Sequence, residues 1–502
     1  MKLNVNYIDT PELFAYISEC DATPSGIRQL THITLANPEK HLSQNAYAIL
    51  AKDKQAPGEI YISKELKELL EIEEGNEIEI TLARPPKSIS AVHKKISGEK
   101  LTRPQIAQII EDLHAGALSP LEITAFITAV ETRGFDMDET EAFAREMIAS
   151  GDTIKFNQTP IVDHHSIGGV PGNKVTLLVV PIIAAAGLLV PKTCSRAITG
   201  AGGTADLMEA IAPVAFSSEE IKKMTEKAGA VIVWGGATNL VPADDYLVNF
   251  EKLIDLNPHG IMLASILSKK KAAGSDICVL DIPVGWGTKV NTPEDARALS
   301  HELIELGRRL GIKVECMLTF GDAPVGRTIG VNLEVAEALK ILEDCGGSGS
   351  LMQKSCALAG AALEMAGKAE HGKGMKAAED LVRSGKAYQK MKDIIAVQGG
   401  NPEVKSADLK PGKYTFAVRA PYDGRVVEMN NRALVKTARL AGAPADHGAG
   451  IYFNKKTGEP VKKGEALFKI YADNENKLSQ AVEYARTAMP LSVNSIIIDL
   501  VQ

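Results

Sequence analysis

The chain has 502 residues, 45% of them hydrophobic and 24% charged, with a net charge of −7 at pH 7. This is the composition of a soluble globular protein with room for three or four domains, and the lack of a basic surplus excludes electrostatic binding to a nucleic-acid backbone. The longest apolar run, Val175 to Val190, holds Pro181 and Gly187 and is too short to span a bilayer. Met1-Lys2-Leu3-Asn4 opens no signal segment, so a cytoplasmic protein without membrane attachment is expected. The cysteines (Cys20, Cys194, Cys278, Cys316, Cys345, Cys356) are scattered without C-x-x-C spacing, which implies neither a disulfide framework nor a zinc site.

In chain order, residues 1 to about 84 alternate as strands do, at Leu3, Val5 and Tyr7 and again at Glu77 to Thr81. Between them lie a short helix, Lys64 to Leu70, and a Gly75-Asn76 turn, a pattern that resembles a small double-psi β-barrel. Arg84-Pro85-Pro86-Lys87 reads as a stiff linker. From about 94 to 157 the apolar spacing turns helical, as at Ile106, Ile109, Ile110 and Leu113. Ser119-Pro120-Leu121-Glu122 is a capping box that opens a second helix, and a third runs from about Glu139 to Ser150. Beyond it the spacing predicts a strand at Leu188 to Thr193, a helix at Ser218 to Ala228, and strands at Ala230 to Trp234 and Ile277 to Ile282. The run Lys269-Lys270-Lys271 reads as a solvated helix face, and Phe416 to Leu500 as a β-rich structural module.

The stretch Asp163 to Asp206 holds two glycine-rich turns, Gly168-Gly169-Val170-Pro171-Gly172 and Gly200-Ala201-Gly202-Gly203-Thr204, each followed by a helix-compatible run. Glycine turns aim backbone N–H groups one way, and free N–H groups at the next helix start add to them, which suits an anion. Ser166, Thr176, Ser195, Thr199 and Thr204 add hydroxyls, and His165, Lys174 and Arg196 can add charge. Neither turn fits the Walker loop, because Asn173-Lys174-Val175 follows Gly172, nor the dinucleotide fingerprint. Two such turns in close succession point to phosphate handling.

Four ordered motifs, HHSIGGVPGNK, PKTCSRAITGAGGTAD, VWGGATNLVPADD and ASILSKKKAAGSD, resemble the thymidine/pyrimidine-nucleoside phosphorylase superfamily, closest to its archaeal AMP phosphorylase branch. The resemblance implies a multidomain α/β plus α protein. Its parts are a small N-terminal β-barrel-like domain (1–84), a helical domain (94–157 plus about 241–271), a central α/β domain with a mixed sheet (158–240 plus about 272–400) and a C-terminal α+β domain (410–502). It implies a pentosyltransferase that cleaves a nucleoside 5′-monophosphate with phosphate, giving ribose 1,5-bisphosphate and free base. AMP is the family substrate, with CMP or UMP as alternatives. Inorganic phosphate is then a co-substrate, no cofactor or metal is required, and a homodimer or larger homo-oligomer is expected.

By the same resemblance, His165, Ser166, Thr176 and Thr204 hold phosphate, with His165 also catalytic. Gly169, Ser195, Arg196, Ala197, Ile198, Thr199, Gly200, Thr204, Ser265, Lys269 and Lys289 contact the substrate. Lys289 suits a 5′-phosphate as a point charge. The nucleoside members differ: they carry lysine where this chain has His164, and the ungapped match to their base-reading arginine is Phe250, with Lys252 the nearest cation. The nucleotide branch has an aspartate at Asn257 that protonates the leaving purine; an amide cannot, which leaves Asp255 or His259 as substitutes or a pyrimidine as the leaving base. A thymidine- or uridine-type nucleoside phosphorylase and a non-catalytic nucleotide-binding protein are the alternative readings.

Overall fold

The computed structural model describes residues 1–8, 13–51, 56–84, 86–197 and 200–494. Pro85 of the linker, Ile198, Thr199 and residues 495–502 therefore lie outside the described residues. The chain forms two compact units, Met1–Ser150 with Pro242–Ser265, and Gly151–Val241 with Ile266–Gln502.

In the first unit, β1 (Lys2–Ile8), β2 (Phe14–Ser18), β3 (His32–Asn37), β4 (Leu42–Ala51), β5 (Glu59–Ser63) and β6 (Glu77–Leu82) close into a barrel, in the order β1-β5-β2-β4-β3-β6. The period-two alternation sends Leu3, Val5, Ile33, Leu35, Ile60, Ile62, Ile78 and Ile80 inward, and closure leaves no free sheet edge. Ser63 caps the helix Lys64–Leu70 by accepting from the Leu66 N–H. The helices Arg103–His114, Pro120–Arg133 and Met137–Ala149 follow, the second opened by the Ser119–Glu122 capping box. Lys95, on the preceding helix Ile89–Ile96, forms an ion pair at 2.7 Å with Glu139 of the third, both 3% exposed.

The second unit is built on β7 (Val162–Ser166), β8 (Val190–Cys194), β9 (Ala230–Trp234), β10 (Ile277–Val284) and β11 (Lys313–Phe320). Strands β11, β10 and β7 are hydrogen-bonded in that order, β8 pairs with β9, and an Ile161–Leu189 bridge joins the two sets. Every described pairing here is parallel, which corrects the mixed sheet expected from the sequence. The cause lies in the connections. The helices Thr176–Ala185, Ser218–Ala228 and Pro293–Leu310 each carry the chain back across the sheet, and a helical crossover returns the next strand in the same direction.

The helix Thr176–Ala185 has no polar face and is buried from Thr176 to Ala184, so it forms the centre of the core. Parallel strands packed around it place their carboxyl ends on one side, where ligands of such sheets gather. The C-terminal part joins the same unit by strand pairing. Thr328–Ile329 leaves the central domain and pairs with Gly450–Phe453, whose sheet continues through Ala466–Ala472 and Tyr414–Arg419. Among the described residues no helix is long and apolar enough to cross a membrane.

Candidate active site

The carboxyl end of β7 delivers His165 and Ser166 to the first glycine turn. Ser166 Oγ donates to Asp281 Oδ2 at 2.7 Å and accepts from Asn173 Nδ2 at 2.8 Å. Asp281, fully buried on β10 opposite Ser166, also accepts from Thr319 Oγ1 at 2.6 Å and lies 2.9 Å from Lys354 Nζ. The serine that faces the turn is thus oriented by Asp281 and by Asn173 of the turn itself, and Asp281 is held in its turn by Thr319 of β11 and by Lys354 of the helix Gly349–Met365.

Gly169, with φ +87°, closes the turn against the loop after β10: a Cβ there would stand 2.8 Å from the Lys289 amide nitrogen and 3.1 Å from Thr288 Cα. Only glycine permits both that conformation and that approach. The loop itself is tied down. Asp322 Oδ1 accepts from the Trp286 N–H at 2.6 Å, and the Thr288 hydroxyl lies 2.8 Å from the Val290 carbonyl. Lys289 is exposed beside the turn, and its charge is felt by His165.

Ser195 follows β8 and is exposed; Thr204 opens the short helix Thr204–Glu209 and is half-buried. Between them the second turn is already furnished with anions of its own. Asp206 Oδ2 accepts from the N–H groups of Ala197 at 2.7 Å and Gly203 at 2.9 Å. Arg196 pairs with Asp206 at 3.1 Å and Glu209 at 2.5 Å, and its guanidinium lies 4.7 Å from the Trp234 ring centre. The Glu209 hydrogen bonds hold the Arg196 pKa above its ordinary value. The second turn therefore offers the hydroxyls of Ser195 and Thr204 more readily than its amides. Gly200 is half-buried within it, and Ile198 and Thr199 lie outside the described residues.

Beneath the first turn sits a buried charge cluster. Asp163 Oδ2 lies 2.9 Å from Lys270 Nζ, and Asp163 Oδ1 lies 3.6 Å from Lys192 Nζ. Burial, then Lys270, pushes the Lys192 ammonium down to about 8. Burial also opposes the Lys270 charge, but Asp163 and then Cys278 outweigh it and hold that pKa above the ordinary lysine value. Burial, then Lys270, Lys192, His164 and Lys289, keeps His165 well below the usual histidine range, so its imidazole is neutral at pH 7 and has one N–H to donate. His164 is fully buried and pushed down to about 4, first by burial and then by Lys192.

Two sequence expectations are corrected here. Lys270, in the run read as a solvated face, is 2% exposed and belongs to this cluster. Lys174, read as charge for the first turn, is fully buried and donates instead to Glu337 Oε2 at 2.7 Å and to the carbonyls of Val325 and Thr328. Thr176 is buried at the start of its helix, 5% exposed.

Ser265 and Lys269 stand one turn apart on the helix His259–Ala272, both half-buried, and the chain passes from the first unit into the second within this helix. Asn257 precedes that helix, is exposed, and approaches Met262 Sδ at 3.5 Å. Sequence reasoning missed Asp163, Asn173, Lys192, Asp281 and Lys354. The first three lie in the stretch Asp163 to Asp206; for Asp163 on β7 and Lys192 on β8, strand alternation was the available signal, and for Asn173 its place in the first glycine turn. Asp281 and Lys354 carry no such signal, because the partners they meet are remote in sequence.

Residues 158–388 match the family described as "Glycosyl transferase family, a/b domain", and residues 89–151 its helical bundle domain. Residues 425–492 match "Pyrimidine nucleoside phosphorylase C-terminal domain". The AMP phosphorylase of Methanocorpusculum labreanum is 53% identical over 499 residues, covering 99% of each chain. That of Methanospirillum hungatei is 47% identical over 501 residues, covering all of this chain and 97% of its own. Among solved structures, anthranilate phosphoribosyltransferase from Thermus thermophilus matches 61% of this chain and 99% of its own at 22% identity and TM-score 0.50, a likeness of fold alone. With near-complete coverage at about half identity, the chain belongs to the AMP phosphorylase family.

Proposed function

We propose that the protein cleaves AMP with inorganic phosphate, giving adenine and ribose 1,5-bisphosphate. The observation that carries this reading is the packing of Gly169 on the backbone of Lys289, which sets an anion-holding turn beside a lysine able to hold a second phosphate. A ligand with its own ester phosphate and an incoming orthophosphate fits that pair of features better than a neutral nucleoside.

In the reaction an orthophosphate oxygen bonds to C1′ as the C1′–N bond breaks, and the bonding pair leaves with the base. The sugar passes through an oxocarbenium-like state, so placement of charge and orientation supply the rate. Neutral His165 donates its N–H to the anion. Ser166 turns its proton from Asp281 to the anion, and Asp281 keeps Thr319 and Lys354 as partners when it does. Ser195 and Thr204 donate from the second turn. The family resemblance assigns Ser265 and Lys269 to the base, and Asn257 stands where that family has a carboxylic acid to give a proton; its amide can only donate a hydrogen bond. No step calls for a cofactor or a metal.

Asn257 favours a second reading of the base, in which CMP or UMP is used beside AMP, because a pyrimidine leaves without protonation at N7. We infer further that the protein works in the cytoplasm as a homodimer or larger homo-oligomer. Lys289→Ala tests the nucleotide reading: monophosphate turnover should fall far more than any nucleoside turnover, and equal losses would refute a 5′-phosphate contact.

A further inference from the structure

The cluster beneath the first turn contains more positive than negative charge. Asp163, Lys192 and Lys270 are 0%, 3% and 2% exposed, and the two ammonium groups share the single Asp163 carboxylate. The other groups facing Lys192 are His164 and His165 on β7, Cys194 on its own strand and Cys278 on β10. Among the described residues none of these supplies the missing anion. Both thiols are pushed up to about 12, chiefly by burial, and both imidazoles are neutral at pH 7. The nearby Asp281 carboxylate is matched by Lys354 at 2.9 Å. A buried, unmatched charge is among the least tolerated features of a fold unless a ligand completes it. Its position is informative too: Asp163 stands three residues before Ser166, and Lys192 three residues before Ser195, so the cluster lies at the root of both turns.

We propose that Lys192 and Lys270, sharing Asp163, are positioning residues that supply the buried countercharge for the phosphate co-substrate at the His165–Ser166 turn, Lys192 being the member that responds to the anion. The proposal rests on the phosphorolytic reading above. Neither lysine makes or breaks a bond. With its ammonium already pushed down to about 8, Lys192 is charged below that pH and loses its proton above it. A bound dianion favours the charged form, so anion affinity is full below about pH 8 and is lost as the pH rises through it. Lys270, held above the ordinary value, stays charged across the same range.

The test is calorimetric titration of the full-length protein with sulfate, a dianion whose own charge is fixed between about pH 6.5 and about pH 9.5. The expected profile is flat up to about pH 8, then weakens by about tenfold per pH unit for one coupled proton. Lys192→Met, which keeps the side-chain length, should abolish that dependence and raise the phosphate KM by about tenfold to a hundredfold while the AMP KM moves little. Sulfate affinity that stays flat to the alkaline end, no sulfate binding at all, or equal rises in both KM values would overturn the proposal. If Lys192→Met does not fold, the sulfate profile of the unmodified protein decides alone. Sulfate binding with the expected profile but no turnover of any nucleotide would sink the phosphorolytic reading and leave the anion countercharge standing.

Discussion

Gly169 and Lys289, 120 positions apart in the chain, touch through their backbones: a Cβ on Gly169 would lie 2.8 Å from the Lys289 amide nitrogen. The turn after β7 and the loop after β10 are therefore one surface, and its spacing depends on a missing side chain. Gly169→Ala should force the loop away and strain a backbone with φ +87°, at a cost of about 1–3 kcal/mol. Steady-state kinetics should show a lower kcat/KM for phosphate, and thermal melting a lower midpoint. An alanine variant with unchanged kinetics would show that the two loops need not meet.

Lys174 and Glu337 hold the base of the same turn in the core. Lys174 is fully buried, and Glu337 meets it at 2.7 Å while accepting from the Thr328 hydroxyl. Burial works to raise the Glu337 pKa, but Lys174 and these hydrogen bonds bring it below the ordinary value. Lys174→Met leaves a buried carboxylate without its cation and should lower stability by about 3–5 kcal/mol. In urea unfolding, the double variant with Glu337→Leu should recover much of that loss. A double variant less stable than Lys174→Met would contradict the pairing.

Two buried groups make opposite contributions to stability as the pH changes. His164 titrates at about 4 in the fold against 6.5 in a free chain, so its contribution is present above pH 6.5 and is lost as the pH falls to about 4. Glu334, pushed up to about 7 chiefly by burial, runs the other way: the fold keeps its proton while the unfolded chain ionises near 4.5, so stability falls as the pH rises from 4.5 to about 7. Each shift is worth about 3 kcal/mol. Between about pH 4.5 and 6.5 the melting midpoint of the unmodified protein should change little from this pair. That of His164→Gln should fall as the pH rises, and that of Glu334→Gln should rise. Parallel slopes for the two variants would contradict the assignment.

In the proposed reaction Asn257 sets the choice of base. Asn257→Asp places a proton donor at the exposed position before the helix His259–Ala272 and should raise adenine release relative to cytosine or uracil release by about tenfold or more. The check is release of free base from AMP, CMP and UMP under one set of conditions. An unchanged ratio would show that this position does not select the base.

Local features of the fold were legible from the sequence because local chemistry decides them. The helix Ser218–Ala228 starts at a Ser217–Glu220 capping box and stops at Gly229, and the strand Ala230–Trp234 follows as a continuous apolar run. Lys64–Leu70 was readable for the same reason. Charged residues were harder, because their partners are distant in sequence. Glu337 is 163 positions from Lys174, and Asp163 reaches Lys270 from another element, so neither buried pair leaves a local signal. The second glycine turn was readable as a turn, yet Asp206 occupying its amides could not be foreseen from spacing alone. The direction of the sheet strands depended on which helices return the chain, a property of topology that composition does not carry.

In the proposed reaction two phosphates meet one ribose. The most direct measurement is ³¹P and ¹H NMR of the protein incubated with AMP and orthophosphate. Adenine and ribose 1,5-bisphosphate should appear in equal amounts as orthophosphate disappears. Adenine released without consumption of orthophosphate, or no base released from any nucleoside monophosphate, would contradict it.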